Sequence, residues 1–330
     1  MIRGTQEARN RGTEEPRNQG TKEPRNRGTE EPRNRGAKEP RNRGAKEPRN
    51  RGAQAGWLVM AMMAMVGGVG AVAPQVVRQD LQPGGFYVAQ VPPNSRVTLN
   101  GEAVETGPKG ELVVGFDRNA KPEQVLKVCG TEAACTETRL RLKPRSYVTQ
   151  NVTKVPAKTV EPDAAQVARV KADNAATAAA RAKAKAAARW RQAYMDAFVL
   201  PLEARTSGVF GSRRTYNGQE RSWHKGHDLA APTGTAVRAP AGGIVRLARD
   251  TFMSGNLIML DHGGGLTSVY AHLDAMDVAV GDEVKARESI GKVGTTGRSS
   301  GPHLHWGMYW QNTAIDPILW VSTKDASKAR

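Results

Sequence analysis

From Gly208 to Trp320 the chain is a succession of short strand-like runs: TAVRAP, GGIVRLAR, NLIMLDH, GLTSVYAHL and HLHWGMYW. Gly-rich turns separate them and no helical pattern intervenes. Strands at that density imply an all-β sandwich or barrel. The six histidines of the chain all fall inside this block, at 224, 227, 262, 272, 303 and 305. Such clustering favours a metal site over scattered surface histidines.

Spacing narrows the choice. Side chains alternate along an extended strand, so His303 and His305 of GPHLHW share a face. That pair alone fits either a metal ligand beside a base or an ordinary polar surface. His224 and Asp228 of HKGHD are four apart, which also keeps them on one face of an extended segment. One further imidazole would complete a set of two histidines and one aspartate. Three protein ligands with a fourth position open is what catalytic zinc needs. Bound zinc brings the pKa of its water to about 7, and a neutral imidazole nearby can take the proton. His227 alternates away from His224 and Asp228 and reads as structural. No HExxH helix occurs and no nucleophile elbow is read, so neither a helical zinc protease nor a Ser-His-Asp enzyme is expected.

The chain carries 49 Lys and Arg against 32 Asp and Glu, a formal charge of +17. No aromatic-interleaved basic motif or Cys/His finger spacing accompanies it, so nucleic acid is not an expected partner. An anionic cell envelope would draw the same charge. Residues 1–54 hold 15 of the basic and 8 of the acidic residues, mostly in an eight-residue repeat of the type GTKEPRNR. With Pro and Gly in each unit and almost nothing apolar, it cannot build a core and is expected to be disordered. It reads as a charged tail or as translated repetitive DNA upstream of the true start. The second reading is favoured, because a signal-like run begins only at residue 55. Residues 55–73, AGWLVMAMMAMVGGVGAVA, carry no charge, come after Arg49 and Arg51, and end in small residues. That is the order of a secretory signal, with an uncleaved anchor as the alternative. Export to the periplasm or beyond is expected, and membrane contact only through this segment.

Export gives Cys129 and Cys135 a meaning: six residues apart in KVCGTEAACTET, they are expected to pair in an oxidising compartment. They lie in a stretch, 84–150, of alternating runs such as FYVAQV and ELVVGF, punctuated by Pro92-Pro93, Asn100-Gly101 and Pro108. This predicts a small antiparallel β domain. Residues 161–201 are rich in Ala, Lys and Arg, with Pro162-Asp163 suited to a helix start and Pro201 to its end. A helical connector is expected, solvated for most of its length and docked at its end through Trp190, Tyr194 and Phe198. Residues 321–330 are expected to form a tail.

FGSRRTYNGQERSWHKGHDLAAPTGTAV, GNLIMLDHGGGLTSVYAHL, VGDEV and GTTGRSSGPHLHW, in this order, resemble the lysostaphin/LytM-type zinc endopeptidases that cut peptidoglycan peptides. The resemblance covers about residues 208–320 and implies a β-sandwich peptidase domain. It implies zinc on His224, Asp228 and His305, catalytic roles for His272 and His303, and peptidoglycan as the substrate. Asn217 and Arg221 are candidates either for lining the substrate cleft or for positioning its loop. His262 ends the strand NLIMLDH, where the family often shows His without assigning it metal. Arg287-Glu288 stand where the family commonly has Gly-Gln, which bears on one hairpin turn. Two other readings are set against the enzyme: a catalytically dead relative that regulates cell-wall amidases by binding, and a biotinyl or lipoyl carrier domain. The first usually lacks ligands, and the second has no use for five aligned His and Asp residues.

Overall fold

Four consecutive residues of the run FYVAQ, Phe86 to Ala89, are buried. A strand shows alternate residues to opposite faces, so four in a row means that both faces are covered. Phe86 and Val88 join one apolar cluster; Tyr87 and Ala89 join another.

The computed structural model describes residues 73–131, 134–186 and 192–329. The eight-residue repeat and the apolar run up to residue 72 lie outside them, as does Trp190. Described residues fall within one compact unit, Met65–Arg330. No helix among them is long and apolar enough to cross a membrane.

The N-terminal half runs β1 (Gln75–Asp80), β2 (Phe86–Gln90), β3 (Arg96–Leu99), β4 (Glu102–Val104), β5 (Glu111–Gly115), β6 (Glu123–Cys129), β7 (Cys135–Arg141) and β8 (Thr149–Val152). These give a three-stranded sheet, β1-β2-β5, and a four-stranded one, β4-β3-β6-β7. Asn100 and Gly101 turn β3 into β4 with both residues at positive φ, 53° and 87°, the conformation that an Asn-Gly hairpin supplies at low cost. Cys129 and Cys135 stand opposite each other on β6 and β7 and are joined as a disulfide.

After the short helix α1 (Ala157–Val160) comes α2 (Ala164–Ala186). Asp163 caps α2 reciprocally with Gln166: Gln166 N donates to Asp163 Oδ1 at 2.8 Å and Asp163 N to Gln166 Oε1 at 3.1 Å. The helix is no solvated connector. Ala180 packs with Leu247, Leu257, Met259, Val269 and Ala271 of the large C-terminal sheet. Buried Asp173 accepts from Phe252 N at 2.8 Å and from Arg249 Nη2 at 3.1 Å. Alanine's small side chain allows that close approach, and one carboxylate on an otherwise weakly apolar face fixes the register. Tyr194, in a 3-10 turn, and Phe198 are fully buried, so the end of this stretch docks, though not as a continuation of α2.

The C-terminal half adds β9 (Arg205–Gly208), β10 (Arg213–Tyr216), β11 (Gln219–Arg221), β12 (Gly226–Ala230), β13 (Ala236–Arg238), β14 (Gly243–Thr251), β15 (Gly255–Gly263), β16 (Leu266–Met276), β17 (Glu283–Val284), β18 (Ser289–Val293), β19 (Leu304–Trp310) and β20 (Thr313–Ile315). A ten-stranded antiparallel sheet runs β17-β14-β15-β16-β19-β12-β9, with β13, β18 and β20 branching from it. The fold class is thus mainly β and antiparallel, as the strand density implies. Separately, β11-β10-β8 form a small sheet in which β8 and β10 run parallel. Arg287 takes the left-handed conformation, φ 72°, in the turn where the family commonly has glycine. Residues 321–329 are no free tail, since Ala329 is buried in the main core.

β2 and β5 are therefore a shared wall. Tyr87, Leu112 and Val114 face the N-terminal core, while Phe86, Val88 and Val113 face the core of Leu229, Tyr270 and Trp306. Phe86 stacks on Trp320 at 4.1 Å, and Arg78 lies 5.3 Å from the Phe86 ring while donating to Trp320 O at 2.8 Å. Phe86→Ala is expected to destabilise the whole unit by about 3–5 kcal/mol, read as one cooperative thermal transition. Two separate transitions would show that the halves fold independently.

Candidate active site

Antiparallel pairing of β12 with β19 sets Asp228 directly opposite His305. His224 sits just ahead of β12, with its Nδ1 3.0 Å from Val209 O. A carbonyl only accepts, so Nδ1 is the donor and Nε2 is the atom left for a metal or a carboxylate. Asp228 Oδ1 lies 2.9 Å from His224 Nε2 and 2.8 Å from His305 Nδ1, and those nitrogens are 3.0 Å apart. Asp228 and His224 are buried and His305 nearly so. Two imidazole nitrogens and a carboxylate oxygen converge, a set that suits a divalent cation. Burial opposes the charge of Asp228, but the imidazoles of His224 and His305 hold its carboxyl well below the usual range.

His272 lies on β16, where Ala271 pairs with His305 and regular pairing to β19 ends. Tyr270 and Leu273 both point into the main core, while Val269 and Ala271 face the α2 side. Period two would send His272 inward after Tyr270. Instead His272 takes a positive φ of 63°, which shifts the alternation and returns Leu273 to the core in its place. A left-handed non-glycine residue costs about 1–3 kcal/mol and is typical of functional positions. His272 Nδ1 is 2.8 Å from Thr296 O, and His303 Nδ1 is 2.8 Å from Gly301 O. Both rings are thereby fixed with Nδ1 as the donor, which makes Nε2 the acceptor of the neutral ring. Their centroids are 4.9 Å apart, and the His272 ring lies 6.1 Å from that of His305. Burial, then the neighbouring His303 and His305, push His272 down to about 3, which keeps it neutral. Five side chains thus surround one end of a cleft of about 890 Å³.

Peptidase family M23 matches residues 222–317, the span that carries every one of these groups. Residues 222–317 belong to that family. The chain is 40% identical over 114 residues to the DD-carboxypeptidase/endopeptidase Mpg of Neisseria meningitidis, covering 34% of this chain and 26% of that protein. It is 37% identical over 109 residues to the peptidoglycan DD-endopeptidase ShyC of Vibrio cholerae, covering 32% and 25%. A crystal structure from Pseudomonas aeruginosa described as a peptidase M23 matches 74% of this chain and 96% of its own, at 27% identity and a TM-score of 0.54. The chain spans about a quarter of the length of the curated relatives it matches.

The remaining histidines of the M23 domain are structural. His262, fully buried, bonds Gly242 O and Ser268 Oγ, each at 2.8 Å, and His227 bonds Thr206 Oγ1 at 2.9 Å. Asn217 and Arg221 are exposed and do not line the cleft. They hold the segment before α2 instead: Asn217 Nδ2 donates to Val155 O at 3.0 Å and Arg221 Nη2 to Val160 O at 2.7 Å. Residues 297–301, GRSSG, do spell the letters of a nucleophile elbow. Yet Ser299 Oγ donates to Gly301 O at 2.7 Å in a loop that leads to a strand. The strand-turn-helix context of a serine nucleophile is missing.

Sequence reasoning missed Arg214. It is buried on β10, and its Nη2 lies 2.5 Å from Asp228 Oδ2, leaving Oδ1 to face the histidines. Hydrogen bonding of a ligating carboxylate from behind is how such ligands are oriented. The signal was present: in the strand RRTY, Arg214 shares a face with Tyr216, so one arginine of the doublet had to point inward. Also missed were the cleft walls, Gln150 to Thr153 around β8 on one side and Val170 and Asn174 of α2 on another.

Gly226 leaves room for the His305 ring. A Cβ there would lie 2.5 Å from Trp306 O and 2.7 Å from His305 Cε1. Gly226→Ala is expected to part β12 from β19 and displace His305. Both melting temperature and bound divalent metal should fall; full metal content in this variant would show that the ring can step aside.

Proposed function

We propose that the chain is an exported zinc metalloendopeptidase that hydrolyses peptide bonds in peptidoglycan cross-links or stems. The observation that carries the reading is the convergence of His224 Nε2, Asp228 Oδ1 and His305 Nδ1, with two imidazoles beside them whose Nδ1 atoms are held by carbonyls. Membership of a peptidase family and likeness to proteins named as peptidoglycan endopeptidases support the reaction and the substrate.

His224, Asp228 and His305 would hold one zinc per chain, which when bound acts as a Lewis acid and lowers the pKa of coordinated water. Around that centre the residues divide the work. Arg214 keeps the Asp228 carboxylate turned so that Oδ1 faces the imidazoles. His272, held neutral and fixed through Thr296 O, offers Nε2 as a proton acceptor. His303, fixed through Gly301 O, presents its own Nε2 from the loop just ahead of β19. Between them they can take a proton from attacking water, return it to the leaving amine and stabilise charge on the carbonyl oxygen. A site outside the cytoplasm fits both the substrate and the apolar segment at 55–73.

Purified wild-type protein is expected to contain about one zinc per chain and to release peptide fragments from cell-wall sacculi, identified by mass. His303→Ala and His272→Ala should keep zinc and lose about 10²–10⁴-fold in rate. His305→Ala should lose both. Wild-type cleavage rates in both base variants would overturn the roles given to His272 and His303, whereas a zinc-loaded wild type that binds sacculi without cleaving them would favour a binding regulator.

Export is expected to depend on the apolar segment and not on residues 1–52. A chain beginning with Met just before Ala53 should reach the periplasm or surface. Its retention in the cytoplasm while the full chain is exported would show that the repeat matters.

A further inference from the structure

The cleft has an excess of positive charge beyond what the candidate metal site uses. Its lining includes Arg214, Lys225 and Arg298, against a single carboxylate, Asp228. Both oxygens of Asp228 are already taken, Oδ2 by Arg214 and Oδ1 by the two imidazoles. Arg214 is therefore neutralised and Lys225 is exposed, its ammonium 5.9 Å from the Trp223 ring.

Arg298 differs from both. It is half-buried, its guanidinium lies 4.5 Å from the centre of the Tyr216 ring, and among the described residues it has no carboxylate partner. Burial, then the facing cations Arg214 and Arg221, act against its charge, and only Tyr216 favours it. A guanidinium has five donors in a planar fork that matches a carboxylate. Desolvating it without an anion lowers stability, so a protein that keeps it there has an anion to offer it from outside.

Its place is fixed relative to the reacting groups. Arg298 N donates to Met253 O at 2.8 Å, and two residues earlier Thr296 O holds His272. On its other side the Tyr216 hydroxyl accepts from Arg214 Nη1 at 3.3 Å, and Arg214 in turn grips Asp228. Arg298 is thus one side chain removed from the group that orients a candidate metal ligand, on the loop that carries His303.

We propose that Arg298 anchors a carboxylate of the bound peptide and so selects substrates that carry one near the scissile bond. This rests on the reading of the cleft as a peptidase site and names the substrate class it takes: anionic peptides. Arg298 contributes by binding and orienting and moves no proton.

The test uses the zinc-loaded full chain and two cross-linked muropeptides, identical except that in one the free carboxylate flanking the cross-link is amidated. Wild type should prefer the free carboxylate by about 10- to 100-fold in kcat/KM, the scale of a charge-assisted hydrogen bond. Arg298→Gln should bring that ratio to about one, losing rate only on the free acid, and Arg298→Lys should retain part of the preference. Unaltered zinc content will show that each variant is folded at the site. An Arg298→Gln ratio equal to that of wild type, or a wild type that cleaves both alike, overturns the proposal and leaves the peptidase reading standing. If zinc-loaded wild type cleaves neither, that reading fails. Calorimetric binding of the same two muropeptides then decides: a preference lost in Arg298→Gln supports the anchor, and equal affinities overturn it.

Discussion

One register governs the site: Asp228 opposite His305 across β12 and β19. Side chains alternate with a period of two, so a slip of one residue would send both candidate ligands to the other face. Leu229, Leu304 and Trp306, buried in the main core on the opposite faces of the same strands, make that slip prohibitive. The apolar core thus sets the polar geometry. Arg214 and the glycines around the pair complete it: a Cβ at Gly208 would fall 2.3 Å from Arg214 Nη2 and 2.4 Å from Asp228 Oδ2.

His272 shows the opposite principle, a local irregularity held by the regular structure around it. Tyr270 and Leu273 secure the strand to the core on either side of the left-handed residue, and Thr296 O holds the ring. The strain is confined to one residue. Nothing else on β16 has to depart from extended geometry at positive φ.

What the sequence disclosed and what it hid divide along a physical line. The H-x3-D and H-x-H spacings were legible because alternation along a short extended segment is a local rule, even though His224 and His303 sit just ahead of β12 and β19, and so was the Asn100-Gly101 turn. The strand β1 was not, since QVVRQD is polar and half-exposed and acquires its role from Arg78 reaching Trp320 across the fold. Burial of FYVA on both faces was equally hidden, because the second layer comes from residues more than a hundred positions later. The helix α2 looked like a solvated spacer because alanine is weakly apolar; its docking turns on Asp173 meeting Arg249 and the Phe252 amide. Asn217 and Arg221 could be read from sequence either as lining the cleft or as positioning its loop; their bonds tie down the segment leading to α2.

The walls of the cleft and its floor come from different parts of the chain. His272, His303 and the three candidate ligands belong to the ten-stranded sheet and the loops at its margin, whereas Gln150 to Thr153 come from β8 and the residue after it, and Val170 and Asn174 from α2. Substitutions at Thr153 and Asn174 can therefore reshape the entrance without entering the packing that fixes the histidines, whereas Gln150 of β8 accepts from Arg214 Nη2 at 3.4 Å and belongs to that packing. Chemistry and selectivity are free to diverge at separate rates. One centre can in this way be kept while the chain that runs past it is exchanged.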